Sequence, residues 1–230
     1  MSDFSSLPTS VSGVSSATLA ELRVDYHLGD LQEGDLLADP IAQFRVWMDQ
    51  ARAVHVPGVD EPHAMTLATA DVNGVPSART VLLKGVDERG FTWFTNYTSR
   101  KGTELAANPN AALNFRWGSL ERQVVVTGPV IRVDVNESDE YFYSRPLGSR
   151  IGAIVSAQST VISRADLESA AQALSLLPES DIKRPAHWGG YRLSPLAIEF
   201  WQGRVSRLHD RLRFRRSALD APWVCERLAP

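Results

Sequence analysis

The segment Arg207-Leu208-His209-Asp210-Arg211-Leu212-Arg213-Phe214-Arg215 carries a dense set of groups able to do chemistry. Read as a strand, its period of two puts Arg207, His209, Arg211, Arg213 and Arg215 on one face and Leu208, Leu212 and Phe214 on the other. Like charges in such a row repel. Two arrangements relieve that repulsion: a solvated edge strand whose charges guard against aggregation, or a wall facing an anionic or electron-rich ligand. In the second, His209 donates or accepts a hydrogen bond near neutral pH.

Further clusters have the makings of phosphate sites. Thr95-Asn96-Tyr97-Thr98-Ser99-Arg100-Lys101 joins a strand end to a helix start. Ser99 or Thr98 can cap that helix, and its free amide hydrogens, with Arg100 and Lys101, suit an anion. Plain capping beside two solvated cations is the alternative. Arg79 and Lys84 stand at the two ends of an apolar strand, where ideal alternation sends them to opposite faces unless a bulge brings them together. Tyr141 and Arg145 are four residues apart, on one helix face; Pro146 interrupts that helix and Ser149 can open the next. A phenol, a guanidinium and a helix terminus there fit a second phosphate. Tyr141 as core and Arg145 as surface is the plainer alternative.

Other chemistries lack support. The sequence has no Gly-rich phosphate loop, Gly-x-Ser-x-Gly elbow or His-Glu-x-x-His motif, and His27, His55, His63 and His187 are scattered without ligand spacing. Two anion sites, several aromatic side chains and no evident protein nucleophile suit a phosphorylated cofactor acting on a phosphorylated substrate. The net charge of -3 argues against general affinity for polyanions, so nucleic acid is not an expected partner. A single cysteine, Cys225, excludes an internal disulfide. With no apolar run long enough for a bilayer and no basic-then-apolar leader, no membrane partner is expected and the cytoplasm is the expected compartment.

These groups must be positioned by a chain of 230 residues, 43% hydrophobic, enough for one substantial core or two small ones. The Ser-rich opening, to about residue 17, has too little apolar content to fold alone and is expected to be disordered, with one domain over residues 18–230. Spacing predicts an amphipathic helix over Pro40 to His55. Strands follow at Ala64 to Ala70, Val75 to Lys84, Phe91 to Thr95, Ala111 to Trp117 and Arg122 to Val133, the first two joined at a hairpin signal, Asn73-Gly74. Helices are expected at Ser99 to Ala107, Glu137 to Ser144, Ser149 to Ser156 and Ser163 to Leu177. Strands return at Tyr191 to Leu193, Ala197 to Gln202, Arg207 to Arg215 and Trp223 to Arg227. The expected class is α+β, with a β-barrel core of mainly antiparallel strands and flanking helices.

Several separated runs together resemble a known family: Arg79-Thr-Val-Leu-Leu-Lys84, Phe94-Thr-Asn-Tyr-Thr-Ser-Arg-Lys101, Leu120-Glu-Arg-Gln123, Ser144-Arg-Pro146, Gln158-Ser159, His187-Trp-Gly-Gly-Tyr191, Glu199-Phe-Trp-Gln-Gly203 and Arg207-Leu-His-Asp-Arg211. In order and spacing they resemble pyridoxine/pyridoxamine 5′-phosphate oxidase from about Leu22 to the terminal Pro230. The resemblance implies an FMN-binding split β-barrel, a homodimer with FMN between subunits, and oxidation of phosphorylated B6 vitamers with oxygen as acceptor, yielding hydrogen peroxide. FMN would be held by the run Arg79, Thr80, Val81, Leu82, Leu83 and Lys84, by Phe94, Thr95, Arg100 and Lys101, and by Gln123, Gln158, Ser159, Trp201 and Arg211. Phe94 stands where some relatives have tyrosine. The substrate phosphate would meet Lys84, Tyr141, Arg145 and Ser149, with Arg207 and His209 at the pyridine ring and the oxidised carbon. Arg23 and Tyr26 resemble the segment that closes over substrate. Another split-barrel flavin or deazaflavin reductase, and a non-catalytic carrier of FMN or pyridoxal phosphate, are the competing readings.

Overall fold

The computed structural model describes residues 21–22 and 24–230. The Ser-rich opening and Arg23 lie outside the described residues. The described residues hold five α-helices of eight or more residues and ten strands. No described helix is long and apolar enough to cross a membrane.

Helix α1 (Pro40–Ala53) begins where the Asp39 side chain accepts the Ile41 N–H at 2.9 Å, with Pro40 in the first turn. It ends two residues before His55. Ile41, Phe44, Trp47 and Ala51 form its buried stripe. Phe44 meets the rings of Phe91 and Phe115, each at 4.8 Å between centroids, which ties the helix to the sheet.

All strand pairs are antiparallel, as expected. Strands β1 (Ala64–Ala70) and β2 (Pro76–Leu82) form the hairpin, but through a five-residue loop and not a two-residue Asn-Gly turn. The Asp71 carboxylate closes that loop, accepting N–H groups from Asn73 and Val75 at 2.9 Å each. β3 (Gly85–Asp87) and β4 (Gly90–Asn96) follow, then α2 (Arg100–Ala107), β5 (Asn110–Trp117) and β6 (Arg122–Arg132). Helices α3 (Val135–Ser144), α4 (Leu147–Val155) and α5 (Arg164–Ser175) precede β7 (Trp188–Leu193), β8 (Ala197–Gln202), β9 (Asp210–Arg215) and β10 (Val224–Arg227).

One path runs β10-β9-β8-β6-β5-β1-β2. The eleven-residue β6 splits its pairing: Arg122 to Thr127 bond β8, whereas Val130 to Arg132 bond β7, which leads on to β4 and β3. A single strand therefore serves both parts of the barrel, around a core including Phe91, Trp93, Phe115, Val124, Val126, Phe200 and Leu212.

The C-terminal strand differs from its expected span. Val205–Arg207 form a one-turn 3-10 helix in which Ser206 and Arg207 have φ of 57° and 61°, and β9 begins only at Asp210. Arg207 is thus off the strand. The remaining alternation holds, with Asp210, Leu212 and Phe214 buried and the arginines between them less so. Repulsion along the arginine face is relieved by neighbouring strands: Glu199 takes Arg211 bidentately at 2.8 and 3.1 Å, and Glu226 takes Arg213 at 2.9 Å and Arg215 at 3.1 Å.

Adjacent glycines in β7 let aromatic side chains cross it. A Cβ on Gly189 would collide with the Tyr97 hydroxyl, and one on Gly190 would lie 2.8 Å from the Phe94 ring. Gly189→Ala should therefore cost about 1–3 kcal/mol of unfolding free energy through overpacking, measured by chemical denaturation; an unchanged midpoint would contradict this account.

Candidate active site

A cavity of about 760 Å³ opens where β2, the end of β4, the start of α2 and the α3–α4 junction meet. The loop that follows α4 supplies Gln158 and Ser159. Its lining brings together Arg79, Thr80, Val81, Leu82, Lys84, Phe94, Thr95, Arg100, Lys101, Tyr141, Arg145, Ser149, Gln158 and Ser159. Five are cations, and no carboxylate lines the same wall among the described residues. Leu83 differs: its side chain joins the core, and its N–H donates to the His63 carbonyl at 2.9 Å. Arg79 and Lys84 reach one cavity despite their odd spacing because β2 ends at Leu82 and the chain leaves strand geometry before β3.

The clearest electrostatic anomaly is Lys101. It is 6% exposed, and its Nζ donates to Gln158 Oε1 at 2.7 Å, Thr95 Oγ1 at 3.2 Å and Ser99 Oγ at 3.3 Å. None of these is a counter-ion. Burial, reinforced by the Arg79 charge, lowers its pKa to about 8. Ser99 caps α2, accepting the Gly102 N–H at 3.4 Å, while the Arg100 N–H donates to Ser159 Oγ at 3.1 Å. Ser159 holds φ of 76° to make that contact, a left-handed conformation costly for a residue with a Cβ.

A second cationic position lies at Arg145. Pro146 ends α3, as expected, but α4 opens at Leu147, so Ser149 sits in its first turn and not at its cap. The Arg145 guanidinium lies 4.8 Å from the Trp188 ring centroid, and its buried Nη1 has no hydrogen-bond partner among the described residues. Phe94 and Tyr141 stack at 4.0 Å, and Phe94 stacks on Trp188 at 5.7 Å. Burial lowers the Lys84 ammonium below its usual range, opposed by Glu61, with Arg145 adding to the downward push. Burial likewise raises the Tyr141 phenol.

The other expected site residues lie elsewhere in the chain. Gln123, Trp201 and Arg211 are register partners across β6, β8 and β9, and so share one face in a cross-strand row. Arg116 of β5 extends that row opposite Gln123, with its guanidinium 5.8 Å from the Trp201 ring centroid. Tyr26 packs edge-on to Trp201 and near His209, each at 5.7 Å. Its segment is anchored by Glu121, whose Oε2 accepts the N–H groups of His27 at 2.8 Å and Leu28 at 2.9 Å. His209 Nδ1 accepts the Arg204 N–H at 3.0 Å, which leaves the ring proton on Nε2 as a donor. Tyr26, Arg207 and His209 line a separate cavity of about 770 Å³ that shares no residue with the first. From β8 to β2 is four strand steps, about 19 Å along the sheet.

Residues that sequence reasoning missed include Trp188 as a cavity wall, Arg116 and Glu104, which binds Arg79 and Arg100 from below the cavity. The four-residue spacing of Arg100 and Glu104 on α2 was a readable signal for the last.

Comparison with known proteins gives concordant matches. The sequence model described as pyridoxamine 5′-phosphate oxidase matches residues 51–174, and that described as the pyridoxine 5′-phosphate oxidase C-terminal dimerisation region matches residues 188–230. A protein of Paraburkholderia xenovorans (strain LB400), named pyridoxine/pyridoxamine 5′-phosphate oxidase, is 58% identical over 214 residues, covering 93% of this chain and 99% of its own. One of the same name from Bordetella avium (strain 197N) is 55% identical over 213 residues, covering 93% and 100%. Among solved structures, PhzG from Burkholderia lata 383, in complex with tetrahydrophenazine-1-carboxylic acid, aligns with a TM-score of 0.78 at 30% identity, covering 87% of this chain and 98% of its own. A pyridoxamine 5′-phosphate oxidase-related, FMN binding protein from Nostoc punctiforme PCC 73102 shares the fold, with a TM-score of 0.67 at 17% identity over 84% and 98%.

Lys101 is charged below its pKa of about 8 and loses that charge above it. Affinity for a phosphomonoester should accordingly fall as pH rises through that value, by at most about tenfold per unit. Lys101→Met should bind more weakly and lose the dependence, read by ligand titration from roughly pH 6 to pH 10. A flat profile in the unsubstituted protein would contradict a role for Lys101 in holding the anion.

Proposed function

Because the chain belongs to the pyridoxamine 5′-phosphate oxidase family, we propose that it oxidises pyridoxamine 5′-phosphate and pyridoxine 5′-phosphate to pyridoxal 5′-phosphate. FMN is the cofactor and molecular oxygen the final acceptor, reduced to hydrogen peroxide; with the amine substrate, a water molecule supplies the aldehyde oxygen and ammonia is released. The activity would serve vitamin B6 synthesis and salvage in the cytoplasm. The observation that carries this reading is the pair of cations left unanswered among the described residues in one cavity: Lys101, buried without a carboxylate, and Arg145, with a buried Nη1 that has no partner there. Two separate demands for an anion fit a phosphorylated cofactor beside a phosphorylated substrate.

The residues divide accordingly. Arg79, Arg100 and Lys101 suit the FMN phosphate, with Thr80, Val81, Leu82, Phe94, Thr95, Gln158 and Ser159 along the rest of the cofactor. Leu83 serves through the core behind them. Lys84, Tyr141, Arg145 and Ser149 suit the substrate phosphate. Bound FMN would supply the hydride acceptor that the protein's own side chains lack. The protein's contribution is orientation and charge. Arg207 and His209 would face the substrate ring, His209 as a fixed Nε2 donor, and Tyr26 would close over it.

Assembly as a homodimer is part of the proposal. It would bring the Gln123, Trp201 and Arg211 row of one copy to the cavity of the other, which the separation of the two groups within a chain supports.

Adding pyridoxamine 5′-phosphate to the purified yellow protein without oxygen should bleach the flavin, and no bleaching would sink the proposal. Bleaching by tetrahydrophenazine-1-carboxylic acid alone would instead favour a reaction without a phosphorylated substrate. Arg145→Ala should raise the substrate KM roughly tenfold to a hundredfold, as expected for a lost charge-assisted contact, while FMN retention is kept. Arg207→Ala should likewise impair substrate handling more than FMN retention; equal affinity and turnover would refute its role.

A further inference from the structure

Beneath the cationic wall of the first cavity lies Glu104, on α2 and 5% exposed. Its Oε2 accepts the hydroxyl protons of Thr69 at 2.5 Å and Ser77 at 2.6 Å and lies 3.4 Å from Arg79 Nη2. Its Oε1 accepts Arg100 Nε at 2.8 Å. Thr69 and Ser77 are register partners on β1 and β2, so one carboxylate joins two strands, a helix and two guanidinium groups. Burial pushes this carboxyl up, but hydrogen bonds from Ser77, Thr69 and Arg100 outweigh that and bring it down to about 2. Glu104 is therefore ionised at any neutral pH.

Arg79 is held on several sides. Its Nη1 donates to Thr69 Oγ1 at 2.5 Å and to the Leu67 carbonyl at 3.2 Å, and its Nη2 donates to Ser77 Oγ as well as Glu104. Both arginines line the cavity while Glu104 does not. We propose that Glu104 is a positioning residue: without touching the ligand, it aims Arg79 and Arg100 at the phosphate of bound FMN. This rests on the FMN reading given above.

Aim and charge act in opposite directions here, which makes the proposal decidable. Deleting the carboxylate leaves the wall more positive, which by Coulomb attraction alone strengthens phosphate binding. It also frees two guanidinium groups whose fixed geometry favours a bidentate fit to phosphate. The proposal is that aim outweighs charge.

The test is binding of FMN and of riboflavin, its counterpart without phosphate, to FMN-free protein by flavin fluorescence quenching. Glu104→Gln keeps the side-chain volume and one acceptor oxygen. It should raise the Kd for FMN about tenfold, the scale of one charge-assisted hydrogen bond, and leave riboflavin within about twofold. General loosening of the fold would weaken both alike and would overturn the proposal, as would tighter FMN binding. Thr69→Val, on β1 and outside the cavity lining, covers the case in which Glu104→Gln does not fold. It should weaken FMN selectively by roughly twofold to fivefold, the loss of a neutral contact, and no selective loss overturns the proposal. An unsubstituted protein that binds riboflavin as tightly as FMN would overturn the FMN reading and this proposal with it. A wild-type preference for FMN retained by the variant would overturn this proposal alone.

Discussion

Taking a cation out of water without giving it a counter-ion is among the least favourable arrangements available to a folded chain, and the first cavity does so at Lys101. The neighbouring structure is organised around that cost. Gln158, Thr95 and Ser99 offer oxygen atoms to the ammonium without neutralising it. The left-handed Ser159 brings the loop after α4 to the start of α2. Glu104 answers Arg79 and Arg100 from the far side of the wall. The outcome is a wall of fixed geometry whose five cations meet no carboxylate in the cavity lining among the described residues.

Holding that wall in place falls to the sheet. β6 pairs with β8 along one half and β7 along the other, so the barrel's two parts cannot shift independently. β7 in turn supplies Trp188, which fixes the direction of Arg145, and two glycines that let Phe94 and Tyr97 pass. The same backbone economy that places the aromatic stack also places the second cation. Stability and binding geometry share residues here, which explains why the cavity is lined by rigid elements as well as loops.

Much of this was legible in the sequence because it depends on local periodicity. Ala64 to Ala70 and Ala197 to Gln202 read directly as strands, and α1 follows from its apolar spacing with Pro40 in the first turn. The α+β class and antiparallel barrel followed, as did the grouping of Arg100 and Lys101 with Thr95. Non-local effects were less readable. Nothing in Ser206 or Arg207 marks a left-handed backbone, so the strand expected from Arg207 begins three residues late. The partners of the arginine face, Glu199 and Glu226, come from adjacent strands, and pairing of that kind has no fixed sequence interval. The run from Arg79 to Lys84 shows no local sign that the Leu83 side chain turns into the core, which follows from where β2 ends.

The segment around Tyr26 is fastened differently from the wall. Glu121 grips it through the main-chain N–H groups of His27 and Leu28, not through their side chains. Such a fastening reads backbone and is blind to residue identity, proline excepted. Any residue but proline at 27 or 28 preserves that grip, so a side-chain change at either position leaves the hold on the chain beside Tyr26 intact.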